Sequence, residues 1–243
     1  MQSSGIGWAG FAVAALVGLS TAPVDARESV SPSTLRVTTR EKICVTNGIV
    51  SALSDGRLAV DSASSRAVVR GAAGDIAEIR FRYLGPSADS KPLASGELRR
   101  QIGLKLRAQD TCNLLYVMWH IEPDTKIAVS VKRNPAQHSH AECHAHGYTT
   151  FRPTAFVALP AIRSGESHAL RAELRDRELT VFADGRLVWS GHIGETISEI
   201  DGPVGFRTDN ARFEFEYLTT AGAVSSNRAT AETVNHCEVG PGD

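Results

Sequence analysis

Between Glu97 and Pro135 the chain sets charged, amide, phenol and imidazole side chains at alternate positions. Arg99, Gln101, Lys105 and Arg107 alternate with Ile102, Leu104 and Leu106. Tyr116, Met118 and His120 alternate with Leu115, Val117, Trp119 and Ile121, and Ala128, Ser130 and Lys132 with Ile127, Val129 and Val131. A period of two belongs to strands, whose successive side chains point to opposite faces. With the aliphatic sets packed inward, one sheet face carries Arg99, Gln101, Lys105, Arg107, Tyr116, His120, Ser130 and Lys132. Such a set can bind a polar or anionic ligand. The cations neutralise negative charge, the amide and hydroxyl bond neutral groups, and the phenol ring offers a surface for stacking. His120 and Tyr116 are also proton-transfer residue types, which makes them the catalytic candidates. The plain alternative is a solvated face of an antiparallel sheet. Trp119 and Trp189 read as core.

A second cluster lies just downstream. The segment Ala136–Tyr148, AQHSHAECHAHGY, holds four of the eight histidines, His138, His140, His144 and His146, beside Cys143. Imidazole and thiolate suit zinc or copper, so these are weak metal candidates. The spacing matches no standard zinc pattern, and a polar loop with Cys143 in a disulfide is the plainer reading. Asp209 and Asn210, after Arg207, are candidates for a structural calcium ion, although both are ordinary turn residues. No nucleotide or flavin fingerprint is present, so no organic cofactor is expected.

The elements that must hold these residues are all strands. Beyond the central meander, Glu78–Tyr83, His168–Leu174, Leu179–Ala183 and Phe213–Tyr217 also alternate. Asp184-Gly185 is a strong two-residue hairpin signal, and Ser54-Asp55-Gly56 is another turn. About twelve short strands and no convincing internal helix favour an all-β, two-sheet sandwich or jelly roll.

Of the 243 residues, 42% are hydrophobic, enough for a real core, and the net charge of −1 gives no global field for nucleic acid or membrane. Residues 1–26 have an uncharged start, an apolar run and a small-residue site, as in a signal peptide, though the expected basic residue is missing. Export to a secreted or periplasmic location follows, with no membrane span after processing. Residues 27–40 read as an extended lead-in, 41–220 as the sandwich, and 221–243 as a tail. Four cysteines without a CxxC pair suit two disulfides in an oxidising compartment. Of the three pairings, Cys112 with Cys143 and Cys44 with Cys237 are favoured.

The stretch LRAELRDRELTVFADGRLVWSG followed by GPVGFRTDNARFEFEYL resembles the concanavalin A-like lectin/glucanase superfamily, including laminin G-like modules. The matching places are Asp184-Gly185, Gly202-Pro203-Val204-Gly205-Phe206 and Phe213 with Phe215. The resemblance implies a curved jelly-roll sandwich with ligands on the concave sheet or at one rim. The paired carboxylates of its β-glucan-cutting members are not reproduced, because Glu199-Ile200-Asp201 is followed by Gly-Pro-Val. Ser95–Ile102 also looks like the Arg-rich strand of jelly-roll lyases that cleave uronates, and Asn113 adds a suitable amide. The lyases' Gln-Ile-His element and final tyrosine strand are absent. The leading expectation is therefore a glycan-binding, lectin-like protein rather than an enzyme. A polysaccharide lyase or hydrolase and a cell-envelope structural protein are the alternatives. Oligomeric state is not legible.

Overall fold

The computed structural model describes residues 35–221. The expected signal peptide and nearly all of the expected tail, Cys237 included, lie outside the described residues. The strands are β1 (Leu35–Val37), β2 (Ile43–Asn47), β3 (Ser51–Ala52), β4 (Leu58–Val69), β5 (Ala72–Pro86), β6 (Arg100–Leu106) and β7 (Leu114–Glu122). They continue as β8 (Lys126–Lys132), β9 (Tyr148–Phe151), β10 (Ala155–Phe156), β11 (Ser167–Arg175), β12 (Glu178–Ala183), β13 (Arg186–His192) and β14 (Gly205–Ala221). One short helix, α1 (His140–Cys143), and two 3-10 turns complete the described secondary structure.

The strands form one antiparallel sheet in the order β10-β13-β12-β11-β5-β14-β6-β7-β8-β9, with β4 along the other side of β14. The sheet folds over at β14. Its first half, Gly205–Asp209, pairs with β6, and its second half, from Ala211, pairs with β5. Between them Asn210 takes φ 55, and the register shifts by a bulge. The Tyr217 hydroxyl donates to the Gly205 carbonyl at 2.6 Å, twelve positions back along the same strand. A straight strand would hold those residues about 40 Å apart, so the two halves must face each other. Phe206 from one half touches Phe215 and Tyr217 from the other, with ring centroids 4.9 and 5.6 Å apart. The result is a front layer (second half of β4, first half of β14, β6–β9) and a back layer (first half of β4, second half of β14, β5, β11–β13, β10).

The core between the layers follows the alternation. Ile102, Leu104, Leu106, Leu115, Val117, Trp119, Ile121, Val129 and Val131 join one apolar cluster with the inward residues of β5, β11, β12 and β14. Trp119 meets Phe81 edge-on at 5.7 Å, and Trp189 is also buried. Asp184 and Gly185 take φ 50 and 75, the left-handed pair that a two-residue hairpin turn requires. The expected lead-in is not wholly outside the sheet, since Leu35–Val37 pairs with Leu218–Thr220. Cys112 and Cys143 form the favoured disulfide, with Cα atoms 5.9 Å apart. Cys44 is disulfide-bonded as well. Among the described residues, no helix is long and apolar enough to cross a membrane.

Candidate functional site

The outer face of the front layer can be laid out row by row from strand register. One row runs Ser64, Asp209, Gln101, His120, Lys126, and the next runs Arg66, Arg207, Gly103, Met118, Ala128. A third runs Val68, Gly205, Lys105, Tyr116, Ser130, Thr150, and the last runs Leu114, Lys132, Tyr148. Seven of the eight expected ligand-face residues share this side, with Arg99 entering at the start of β6. Arg107 does not. The strand ends at Leu106, Arg107 takes φ 46, and its guanidinium turns to Asp75 at 2.6 Å and to the Ile197 carbonyl at 3.0 Å. Strand alternation stops applying at a left-handed residue, which is why Arg107 leaves the face.

Much of this face is covered. The loop after β8 carries α1 and is tied down by Cys112–Cys143. Lys132, 1% exposed, directs its ammonium at the Thr111 carbonyl (3.1 Å), the His144 carbonyl (2.8 Å) and Cys143 Sγ (3.1 Å). Its first task is thus to hold the histidine-rich loop. Glu142 caps α1, accepting from the backbone N–H groups of His138 and Ser139 and from the Ser139 hydroxyl. These bonds hold its carboxyl down at about 2. His138 bonds Asp110 at 2.8 Å, while the His140 and His144 rings meet at 6.3 Å and His146 is exposed. Among the described residues no three His, Cys, Asp or Glu side chains converge as a metal site.

At the centre, Asp209 is a buried carboxylate with every oxygen engaged. It accepts from Arg207 Nε (2.7 Å) and Nη2 (3.2 Å), Gln101 Nε2 (2.6 Å) and the Ser64 hydroxyl (3.2 Å). A guanidinium therefore stands where the calcium reading would put an ion. Asn210 is likewise engaged, with the backbone of Lys91 and Arg99. Burial works against the charge on Arg207, but the Asp209 carboxylate outweighs it and raises its hold on the proton. The Arg207 guanidinium also lies 5.4 Å from the centre of the Tyr116 ring. Gly103, opposite Arg207, is dictated by crowding, since a Cβ there would come within 2.4 Å of the Val117 carbonyl.

Tyr116 is buried beneath Tyr148, the two rings stacked 6.2 Å apart at 25°. Tyr148 itself is 43% exposed, held between the Tyr116 ring and the Lys132 ammonium, which lies 5.5 Å from its ring centre. Desolvation, then Tyr116, pushes the Tyr148 hydroxyl up to about 12. A recess beside the pair is lined by Arg66, Lys105, Thr111, Tyr116, Lys132, His140 and Tyr148, with free volume of about 20 Å³. His120 sits deeper in the sheet, its Nε2 3.4 Å from Arg99 Nη1. Desolvation first, then the charges of Arg99, Lys126 and Arg207, lower it to about 3, so it is neutral at ordinary pH.

No family model matches the chain, and no curated protein matches it. Among solved structures, the carbohydrate-binding module CBM66 from Bacillus subtilis aligns with a TM-score of 0.53 at 15% identity, covering 74% of this chain and 96% of the module. The fold is the concanavalin A-like jelly roll. A putative glycosyl hydrolase from Parabacteroides distasonis aligns less well, with a TM-score of 0.48 at 10% identity over 80% of this chain and 99% of its own. On this jelly roll, Arg66, Arg207 and Tyr148 join the face from β4, β14 and β9, and the sequence reading did not include them. One signal was present, since Arg207 and Asp209 are two apart in a strand and so must share a face.

Proposed function

We propose that this is an exported, lectin-like carbohydrate-binding protein whose ligand lies on the outer face of the front layer. The observation that carries the reading is Tyr148, a half-open ring stacked on a buried tyrosine and bordered by polar groups. An exposed, pre-ordered aromatic face stacks on the apolar face of a sugar with little entropy cost. Ser130, Thr150 and Lys126 continue the polar strip along the same side. The likeness in fold to a carbohydrate-binding module agrees with this reading, and the Cys112–Cys143 disulfide agrees with export.

The electrostatics weigh against the lyase or hydrolase alternative at the two candidate acid–base residues. A base works best with a pKa near the operating pH, whereas His120 is held at about 3. Tyr116 is sealed under Tyr148. The test is a glycan array with the mature protein beside Tyr148→Ala. Binding to a defined glycan class, weakened at least tenfold by the substitution, is expected. Absence of binding to every glycan would reject the reading and leave the envelope-structural one.

A further inference from the structure

The recess beside Tyr148 has a composition that a neutral sugar does not explain. Its walls bring two tyrosines, a threonine and a histidine together with three cationic side chains, and among the described residues no carboxylate lines it. The nearby carboxylate, Asp209, is already saturated by Arg207, Gln101 and Ser64. Arg66 stands directly across from Arg207 in the β4–β14 register. Its Nε is buried and makes no hydrogen bond. A buried guanidinium donor without an acceptor is costly, and Asp209, which answers the charge of Arg207, makes no bond to Arg66.

Size narrows the partner. About 20 Å³ of free space accommodates one or two water-sized atoms and excludes a sugar ring. A ring resting on exposed Tyr148 would therefore stay outside, with only a small substituent reaching in. Guanidinium and ammonium groups bind planar oxyanions through short charge-assisted bonds, and Arg does so with a fork of parallel donors.

We propose that the recess is a subsite for a carboxylate carried on the bound glycan, with Arg66 as its principal donor and Tyr148 as the platform for the uronic-acid ring. This rests on the glycan-binding reading above. It adds that the preferred ligand is an acidic glycan and that one residue outside the central meander sets the preference.

The test compares oligogalacturonates with their methyl esters by calorimetric titration of the full mature protein. The two ligands share their rings and differ by one charge per sugar residue. Wild-type protein is expected to bind the acid at least tenfold more tightly than the ester. Arg66→Met is expected to bring the two within about twofold, and a cooperative thermal transition shows that the variant is folded. Arg66→Lys should recover part of the preference. Equal wild-type binding of acid and ester would overturn the carboxylate subsite and leave glycan binding standing. An undiminished preference in Arg66→Met would overturn the role of Arg66. Failure of wild-type protein to bind either ligand, or any glycan on the array, would overturn the underlying reading and the subsite with it.

Discussion

The outer faces of the two layers are built from similar residue types and have opposite characters. On the back layer, charges alternate in sign across neighbouring strands. Arg80 stands opposite Glu216, Arg82 opposite Glu214, and Glu78 opposite Arg171. Ion pairs such as Arg80–Glu78 at 2.6 Å and Arg171–Glu173 at 2.7 Å neutralise the face locally, and Arg80 is 49% exposed. On the front layer, Arg66, Arg207, Lys105 and Lys132 share four rows with a single carboxylate, Asp209; the two lysines are buried and the two arginines half-buried. Alternating exposed charge keeps a sheet soluble at little energetic consequence. Buried charge of one sign must be answered by specific hydrogen bonds, and what those bonds leave over is available to a ligand. Strand alternation alone does not distinguish the two faces; the balance of sign does, since Glu78 and Glu173 on the back layer are buried too but stand beside arginines.

That contrast can be broken most forcefully at Arg207. Arg207→Met strands the Asp209 carboxylate in the sheet and is expected to cost about 3–5 kcal/mol of stability in a chemical denaturation series. Cleaving the Cys112–Cys143 bridge should come next. It frees a segment of 31 residues' separation, for which chain-entropy arguments give about 3.7 kcal/mol. Reduction should also loosen the loop that Lys132 secures, seen as faster amide exchange over α1.

A smaller and pH-dependent effect belongs to His120. Its folded-state value of about 3 lies below the ordinary 6.5, so the unfolded chain binds the proton first. The neutral, folded form is therefore favoured above pH 6.5, and stability falls as pH drops from 6.5 toward about 3. The slope is up to about 1.4 kcal/mol per pH unit. His120→Gln should flatten that slope in denaturation midpoints measured across the window. The smallest effect is expected on the other face, where Arg80→Met should change stability by no more than about 0.5 kcal/mol. A large loss there would mean that the two faces are not as different as their charge balance suggests.

The architecture was largely legible because period-two alternation is a local property. Which of Leu115 or Tyr116 faced the core could be read within one strand, and Asp184-Gly185 announced its turn. The Cys112–Cys143 pairing was favoured because it joined a strand start to a neighbouring loop. The site was less legible because it is assembled across strands distant in sequence. Arg66, Arg207 and Tyr148 meet only through register. Lys132 looked like a solvent-facing lysine until the histidine-rich loop folded onto it. Arg107 fitted the alternation, but its backbone conformation ended the strand one residue earlier.

The central claim is that the front face, not the back, takes the ligand. Hydrogen–deuterium exchange with and without the glycan selected on the array tests it directly. Protection is expected over Lys126–Lys132 and Tyr148–Phe151, with Ser167–Arg175 unchanged. Protection confined to Ser167–Arg175 and its neighbour β5 would contradict the account.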